Sequence, residues 1–104
     1  MNTTNPIWTK RATKHLRDAT RYIAENFYPE YAVAFGNDAI DTANLIVKNP
    51  EIGPEAFPKQ NLHNCRKLLC KNRNWWVFYR IKSDYIEIIS VKHAMQNIKS
   101  PRNL

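Results

Sequence analysis

Two series of apolar positions in the first half of the chain recur at steps of three and four residues, namely Ala12, Leu16, Ala19, Ile23 and Phe27, then Ala32, Phe35, Ala39, Thr42 and Ile46. This spacing places each series on one side of an α-helix. Tyr28-Pro29 separates the two series, and Lys48-Asn49-Pro50 ends the second. The pattern therefore predicts helices over residues 10–27 and 30–48, joined by a short connection as an antiparallel hairpin.

The second half of the chain has the pattern of β-strands. Residues 75–81 (WWVFYRI) are dense in aromatic and branched side chains, and residues 85–91 (YIEIISV) are apolar on both sides. A shorter apolar and basic segment covers residues 65–70, and turn-like residues separate the three segments. They predict an antiparallel meander within residues 64–92, in which Cys65 and Cys70 lie on opposite faces.

The order of the elements predicts an α+β fold, β-α-α-β-β-β, in which the hairpin packs on one face of a small antiparallel sheet. Residues 6–8 are expected to add an edge strand, and residues 50–60, with three prolines, to form a loop. Residues 1–97 are interpreted as a single domain and residues 98–104 as a frayed tail. The sheet face opposite the hairpin is expected to carry basic side chains.

Positive charge is concentrated in one part of the chain. The net charge is +7, and residues 56–83 contain seven Lys or Arg and no Asp or Glu. Such a stretch indicates a surface for a polyanion or an acidic protein, and a solvated basic face without a partner is the alternative. The candidate target-binding residues are Lys67, Lys71, Arg73, Arg80, Lys82 and Lys92.

Composition excludes several classes of function. Because the chain has only two glycines, it contains neither a GxGxxG motif nor a P-loop. The His and Cys residues lack metal-site spacing, so we expect no metal and no cofactor. The chain has no apolar run of membrane-spanning length and no signal-peptide pattern at its start, so we expect no membrane association and a cytoplasmic location.

One set of polar side chains is a candidate for acid–base chemistry. The predicted strands carry His93, Glu87 and Tyr79, with Arg66 and Arg80 on the same strand segments. Metal-free cleavage of a phosphodiester would use His93 as the proton donor and Arg66 and Arg80 to stabilise the charge of the transition state. The alternative is that Glu87 simply pairs with a basic residue across the strands.

The order and spacing of these segments resemble the RelE/ParE superfamily of bacterial toxins from type II toxin–antitoxin systems. The resemblance covers about residues 5–97 and is carried by IWTKRATKHLRDATRYI, by NPEIG and by CRKLL…WWVFYRIKSDYIEIISVKHAMQN. The last segment is the most specific, because an aromatic strand ending in Tyr-Arg-Ile is followed by a short turn and I-x-I-I-x-V-x-H. The resemblance implies a helical hairpin on a small antiparallel sheet, in agreement with the predicted elements.

The resemblance implies one of two activities, because the RelE branch cleaves mRNA on the ribosome without metal and the ParE branch inhibits DNA gyrase. Two arginines of the nuclease branch match Trp76 and approximately Ala94 here, and of its inward basic residues Lys67 matches one while Leu69 replaces the next. These departures, together with the ending Val91-Lys92-His93, favour the ParE branch. The alternatives are an mRNA endoribonuclease, with His93, Arg80 and Arg66 as its catalytic set, and an inactive relative that only binds.

The resemblance also implies partners and a role. A cognate antitoxin from a neighbouring gene is expected to supply a segment rich in Asp/Glu and Leu/Ile, which cancels the basic charge and fills an apolar groove. The target is expected to be DNA gyrase or, in the alternative, the ribosome with its mRNA. Toxin–antitoxin pairs of this superfamily serve in plasmid stabilisation.

Overall fold

The computed structural model describes residues 5–60 and 62–104, which form two helices packed against a five-stranded sheet. The helices are α1 (Lys10–Asn26) and α2 (Pro29–Lys48). The strands are β1 (Ile7–Trp8), β2 (Glu55–Phe57), β3 (Leu62–Leu69), β4 (Trp75–Ile81) and β5 (Ile86–His93). The sheet order is β1-β5-β4-β3-β2, which confirms the predicted α+β fold.

The helix bounds agree with the predicted ones to within one residue, because the capping residues stand where the apolar stripes begin and end. The Thr9 hydroxyl accepts the N–H of Ala12 at 3.0 Å and so caps α1. The Thr9 N–H donates to the Ile88 carbonyl at 3.0 Å, which fixes the start of α1 on β5. Pro29 is the first residue of α2, where its missing N–H costs no helical hydrogen bond.

The sheet is antiparallel except at one edge. The meander of β3, β4 and β5 is confirmed, and β1 is the expected edge strand, paired in parallel with β5. Strand β2 lies within the segment expected to be a loop, and it pairs Glu55 with Arg66 and Phe57 with Leu62. Strand β2 has only three residues and is bounded by prolines, so its sequence is too short to show the alternation of a strand. It forms because it pairs with β3, which no local pattern predicts.

Both faces of β4 are buried. The helix side of the sheet is covered by the hairpin, in a core of Ala12, Ala43, Ile46, Cys70, Val77, Tyr79, Ile86 and Ile88. The opposite side, here called the tail side, has a second core of Phe57, Cys65, Phe78, Ile89 and Leu104. The two cysteines therefore lie on opposite faces, as predicted, and alternate residues of β4 supply the two cores.

Residues 98–104 pack on the tail side, which differs from the expected frayed tail. Ile98 packs against the second core, Pro101–Asn103 forms a short 3₁₀ turn, and Leu104 is only 6% exposed. The side-chain amide of Gln60 donates to the Lys99 carbonyl. Because Phe57, Phe78 and Ile89 form an apolar surface that is unfavourable in water, this part of the chain covers it. The tail side carries basic side chains, as expected, and residues 98–104 cover part of it.

The hydroxyl of Tyr79 holds the loop that follows α2. It donates to the Pro50 carbonyl at 2.6 Å and accepts the Gly53 N–H at 3.0 Å, while the Arg66 guanidinium donates to the Gly53 carbonyl at 2.7 Å. A Cβ at Gly53 would lie 2.3 Å from the Lys67 carbonyl oxygen, so only glycine fits. Burial raises the pKa of Tyr79, which keeps its phenol protonated as the donor to Pro50.

Replacing Tyr79 by Phe is expected to lower the free energy of unfolding by about 1–3 kcal/mol, because it leaves buried polar groups of Pro50 and Gly53 without their partner. Urea unfolding followed by circular dichroism measures the change. The control is Tyr31→Phe, since Tyr31 is 57% exposed, and it should change stability by less than about 0.5 kcal/mol. Equal unfolding midpoints for the two variants would contradict the account of this network.

Both cysteine thiols are expected to be unreactive in the folded protein. Burial raises the pKa of Cys65 to about 11 and that of Cys70 to about 11, so very little thiolate exists near neutral pH. Alkylation at about pH 8, followed by mass spectrometry, should label both sites slowly in buffer and rapidly in denaturant. Labelling of either cysteine in buffer at its denatured rate is the contradicting result.

Candidate functional site

Three of the candidate target-binding residues lie on the tail side of the sheet. Lys67 is in register with Phe78, and Lys92 is in register with Trp76. The Lys67 ammonium lies 4.4 Å from the centre of the Trp76 ring, within cation–π distance. Arg80, on the same face of β4, is 3.9 Å from the Glu87 carboxylate. On the tail side, Lys67 therefore lies over an aromatic ring, and Arg80 has a carboxylate partner.

The other three candidates lie at the two ends of the sheet. Lys71 and Arg73 are in the turn between β3 and β4, and Lys82 follows the opposite end of β4. The Asp38 carboxylate of α2 accepts the N–H groups of Lys71 at 3.1 Å and Asn72 at 3.0 Å, which fixes the first turn against the helix. The basic stretch is therefore divided among three places on the surface.

The candidate nuclease residues are not brought together. Arg66 is in register with Tyr79 and donates to the Gly53 carbonyl, so its guanidinium has a structural partner. Arg80 pairs with Glu87, as the cross-strand alternative predicted. His93 lies six residues beyond Glu87 on β5, which at about 3.3 Å per residue is about 20 Å along the strand.

His93 is held in an aromatic environment. Its ring lies edge-on to the Trp75 ring, with centroids 4.9 Å apart, and its Nδ1 accepts the Met95 N–H at 3.1 Å. The Trp75 ring in turn lies 4.7 Å from the Phe35 ring. Since Nδ1 is an acceptor, the neutral imidazole carries its proton on Nε2. This arrangement orients His93 toward the surface between the hairpin and the sheet.

A groove at that surface is missed by the sequence analysis. Two adjoining clefts share Ile23, Asn74 and Trp75 and extend from Asp41 on α2 to His93 on β5. Exposed aromatic side chains surround the groove at the hairpin apex, namely Tyr22, Phe27, Tyr28 and Tyr31, each 57–60% exposed. Contiguous exposed aromatic groups are typical of protein interfaces. The density of aromatic residues around the helix connection was the available signal.

The chemistry of the described residues is limited. Among residues 5–60 and 62–104, no group of three His, Cys, Asp or Glu side chains is arranged to hold a metal ion. In the same ranges no helix is both long and apolar enough to cross a membrane. The exposed groups described above are mainly cations and aromatic side chains.

Comparison with known proteins identifies the family. Residues 7–98 match the family model described as ParE toxin of type II toxin-antitoxin system, parDE. A solved chain titled "Chromosomal ParDE TA system from P. aeruginosa" is similar in fold, with a TM-score of 0.69 and 18% identity, over 89% of this chain and 98% of that chain. No curated protein sequence matches. The family match extends over most of the chain, and the chain therefore belongs to the ParE toxin family of type II toxin–antitoxin systems.

Proposed function

We propose that this toxin arrests growth by binding DNA gyrase and that it breaks no covalent bond. The observation that carries the proposal is the match of residues 7–98 to the ParE toxin family. The positions of Arg66, Arg80 and His93 support it, because the first two have structural partners and His93 lies about 20 Å from Glu87, the partner of Arg80. Metal-free RNA cleavage requires its cations and proton donor around one phosphate.

We further propose that the target contacts the aromatic groove and the basic turn beside it. Trp75 and Asn74 line the groove, and Lys71 and Arg73 belong to the same turn. Aromatic side chains supply large contact areas that bury well, and charged groups at the rim steer association. Lys67, Arg80, Lys82 and Lys92 remain proposed contacts that extend the positive surface toward an acidic target.

A cognate antitoxin encoded by a neighbouring gene is the second proposed partner. Val33 and Ile40 lie seven residues apart on one side of α2 and are 63% and 48% exposed, and Leu45, on another side of the helix, is 46% exposed. A segment rich in Leu/Ile and Asp/Glu would bury these side chains and cancel part of the +7 charge. With these two partners, we propose that the toxin acts in the cytoplasm and that the pair serves plasmid stabilisation.

The purified toxin is expected to inhibit supercoiling by DNA gyrase and to leave ribosome-bound mRNA intact. Gel assays of plasmid topology and primer extension on translated mRNA measure the two activities. Codon-specific cleavage by the wild type, abolished in the folded double variant Arg80→Ala, His93→Ala, would overturn the proposal and favour the RelE-like activity. Neither inhibition nor cleavage would favour the inactive binding module.

A charge-matched pair of variants locates the gyrase contact. Lys71→Gln with Arg73→Asn removes two positive charges from the basic turn, and Asn tolerates the positive φ of 67° at position 73. This variant should inhibit gyrase several-fold less well, mainly through slower association. Arg17→Gln with Arg21→Gln removes the same charge from exposed α1 positions and should inhibit like the wild type. Equal losses in both variants would contradict a specific contact at the turn.

Co-expression with the neighbouring gene product is expected to restore growth and to give a stable complex. Its association rate should fall as salt rises, because attraction between opposite charges is screened. Size-exclusion chromatography and stopped-flow fluorescence measure these two properties. Undiminished toxicity with no complex would contradict the proposed antitoxin, whatever the outcome with gyrase.

A further inference from the structure

Basic side chains from two elements meet where α1 lies against β5. His15 Nδ1 is 3.0 Å from the Ser90 hydroxyl, and Ser90 is fully buried. Arg11 precedes His15 by four residues, so the two lie on the same side of α1. Lys92 follows Ser90 by two residues, so the two share one side of β5. The His15–Ser90 contact therefore brings Arg11 and Lys92 into one cluster.

Among the described residues, no carboxylate is paired with the two permanent cations of the cluster, Arg11 and Lys92. The negative charge of Asp18 raises the pKa of His15, but this carboxylate is already paired with the Lys14 ammonium at 2.5 Å. Positive groups that are partly removed from water repel one another more strongly than they do in water. His15 and Lys92 are half-buried and Arg11 is exposed, so solvent screens part of this repulsion, and a bound anion would relieve the rest.

Two pKa shifts agree with this description. Burial lowers the pKa of His15, and the positive charges of Lys92, Arg11 and Lys14 lower it further against a small opposing effect of Asp18. Burial and the charge of Arg11 lower the pKa of Lys92. His15 is therefore predominantly neutral near pH 7, and a bound anion would favour its protonated form.

The neighbouring side chains indicate which class of anion fits. Lys92 is in register with Trp76, and the Lys67 ammonium lies over the Trp76 ring. Arg11 also lines a cleft with Arg80 and Glu87 at the edge of the same face, where Glu87 is the ion-pair partner of Arg80. Alternating basic and aromatic groups are typical of surfaces that follow a nucleic acid strand. An arginine fork also fits phosphate oxygens with two hydrogen bonds.

We propose that Arg11, His15 and Lys92 form a binding site for a phosphate group of a nucleic acid strand. Arg11 and Lys92 supply the permanent charges, and Ser90 holds the His15 ring between them. Since protonation of His15 and phosphate binding favour each other, affinity should rise as the pH falls through the lowered pKa of His15. Lys92 is also one of the proposed gyrase contacts, so the test uses the toxin and DNA alone, and its outcome does not depend on whether gyrase is the target.

Fluorescence anisotropy with a labelled single-stranded DNA of ~20 nucleotides tests the site, over ~50 to ~200 mM salt. The variant Arg11→Gln, Lys92→Gln should bind at least about tenfold more weakly and reduce the salt slope by about 1.4, because each cation contributes about 0.7 on a single strand. The charge-matched control Lys59→Gln, Lys99→Gln should bind nearly as well as the wild type, because both lysines are exposed and neither belongs to the cluster. Circular dichroism verifies that both variants are folded. Equal weakening in the two variants would show that binding follows net charge alone and would overturn the site.

Proton NMR of His15 provides a readout that general electrostatic attraction to the whole protein would not produce. Adding the unlabelled strand should raise the pKa of His15 in the wild type and leave it nearly unchanged in Arg11→Gln, Lys92→Gln. Inorganic phosphate at millimolar concentration should give a smaller shift in the same direction. A shift with inorganic phosphate but none with DNA would overturn the assignment to a nucleic acid. Stronger binding of a polyglutamate peptide than of the strand, with a larger shift of His15, would reassign the site to an acidic protein.

Discussion

The burial of β4 on both faces is the constraint on which the rest of the structure depends. Val77 and Tyr79 require the helical hairpin as a cover, and Phe78 requires a second cover on the opposite side, which residues 98–104 supply. The Tyr79 hydroxyl then connects the centre of the sheet to Pro50 and Gly53, just beyond the end of α2. Because both faces of the central strand are occupied by apolar side chains, basic groups are displaced to turns, edges and the margins of the tail side.

The elements with a repeating pattern were predictable from the sequence. The apolar stripes predicted the ends of α1 and α2 to within one residue. The alternation along β4 assigned its side chains to the correct faces of the sheet. Strand β2 and the packed tail were not predictable, because each is short and is stabilised by contacts with distant segments. The structural role of Arg66 was not predictable for the same reason. Its charge indicated a functional residue, but its guanidinium donates to the carbonyl of Gly53, which is distant in sequence.

The separation of the polar side chains determines what the surface can do. Arg80 has Glu87 as its partner, while His93 lies at the other end of β5 beside Trp75. What the fold does assemble is an aromatic groove next to a turn fixed by Asp38, which suits recognition of another protein. The groove was not visible in the sequence because its walls come from the hairpin, the turn after β3 and the end of β5. The cluster of Arg11, His15 and Lys92 is likewise formed only when α1 lies against β5.

Hydrogen–deuterium exchange of the toxin, alone and mixed with gyrase or with ribosomes, tests most directly whether this ParE-family chain is a gyrase-binding protein. The account predicts slower exchange with gyrase at the hairpin apex, residues 22–31, and at the turn of residues 70–75, because the aromatic groove and the basic turn become buried. It predicts no change in these segments with ribosomes. Protection by ribosomes and none by gyrase would contradict the central claim.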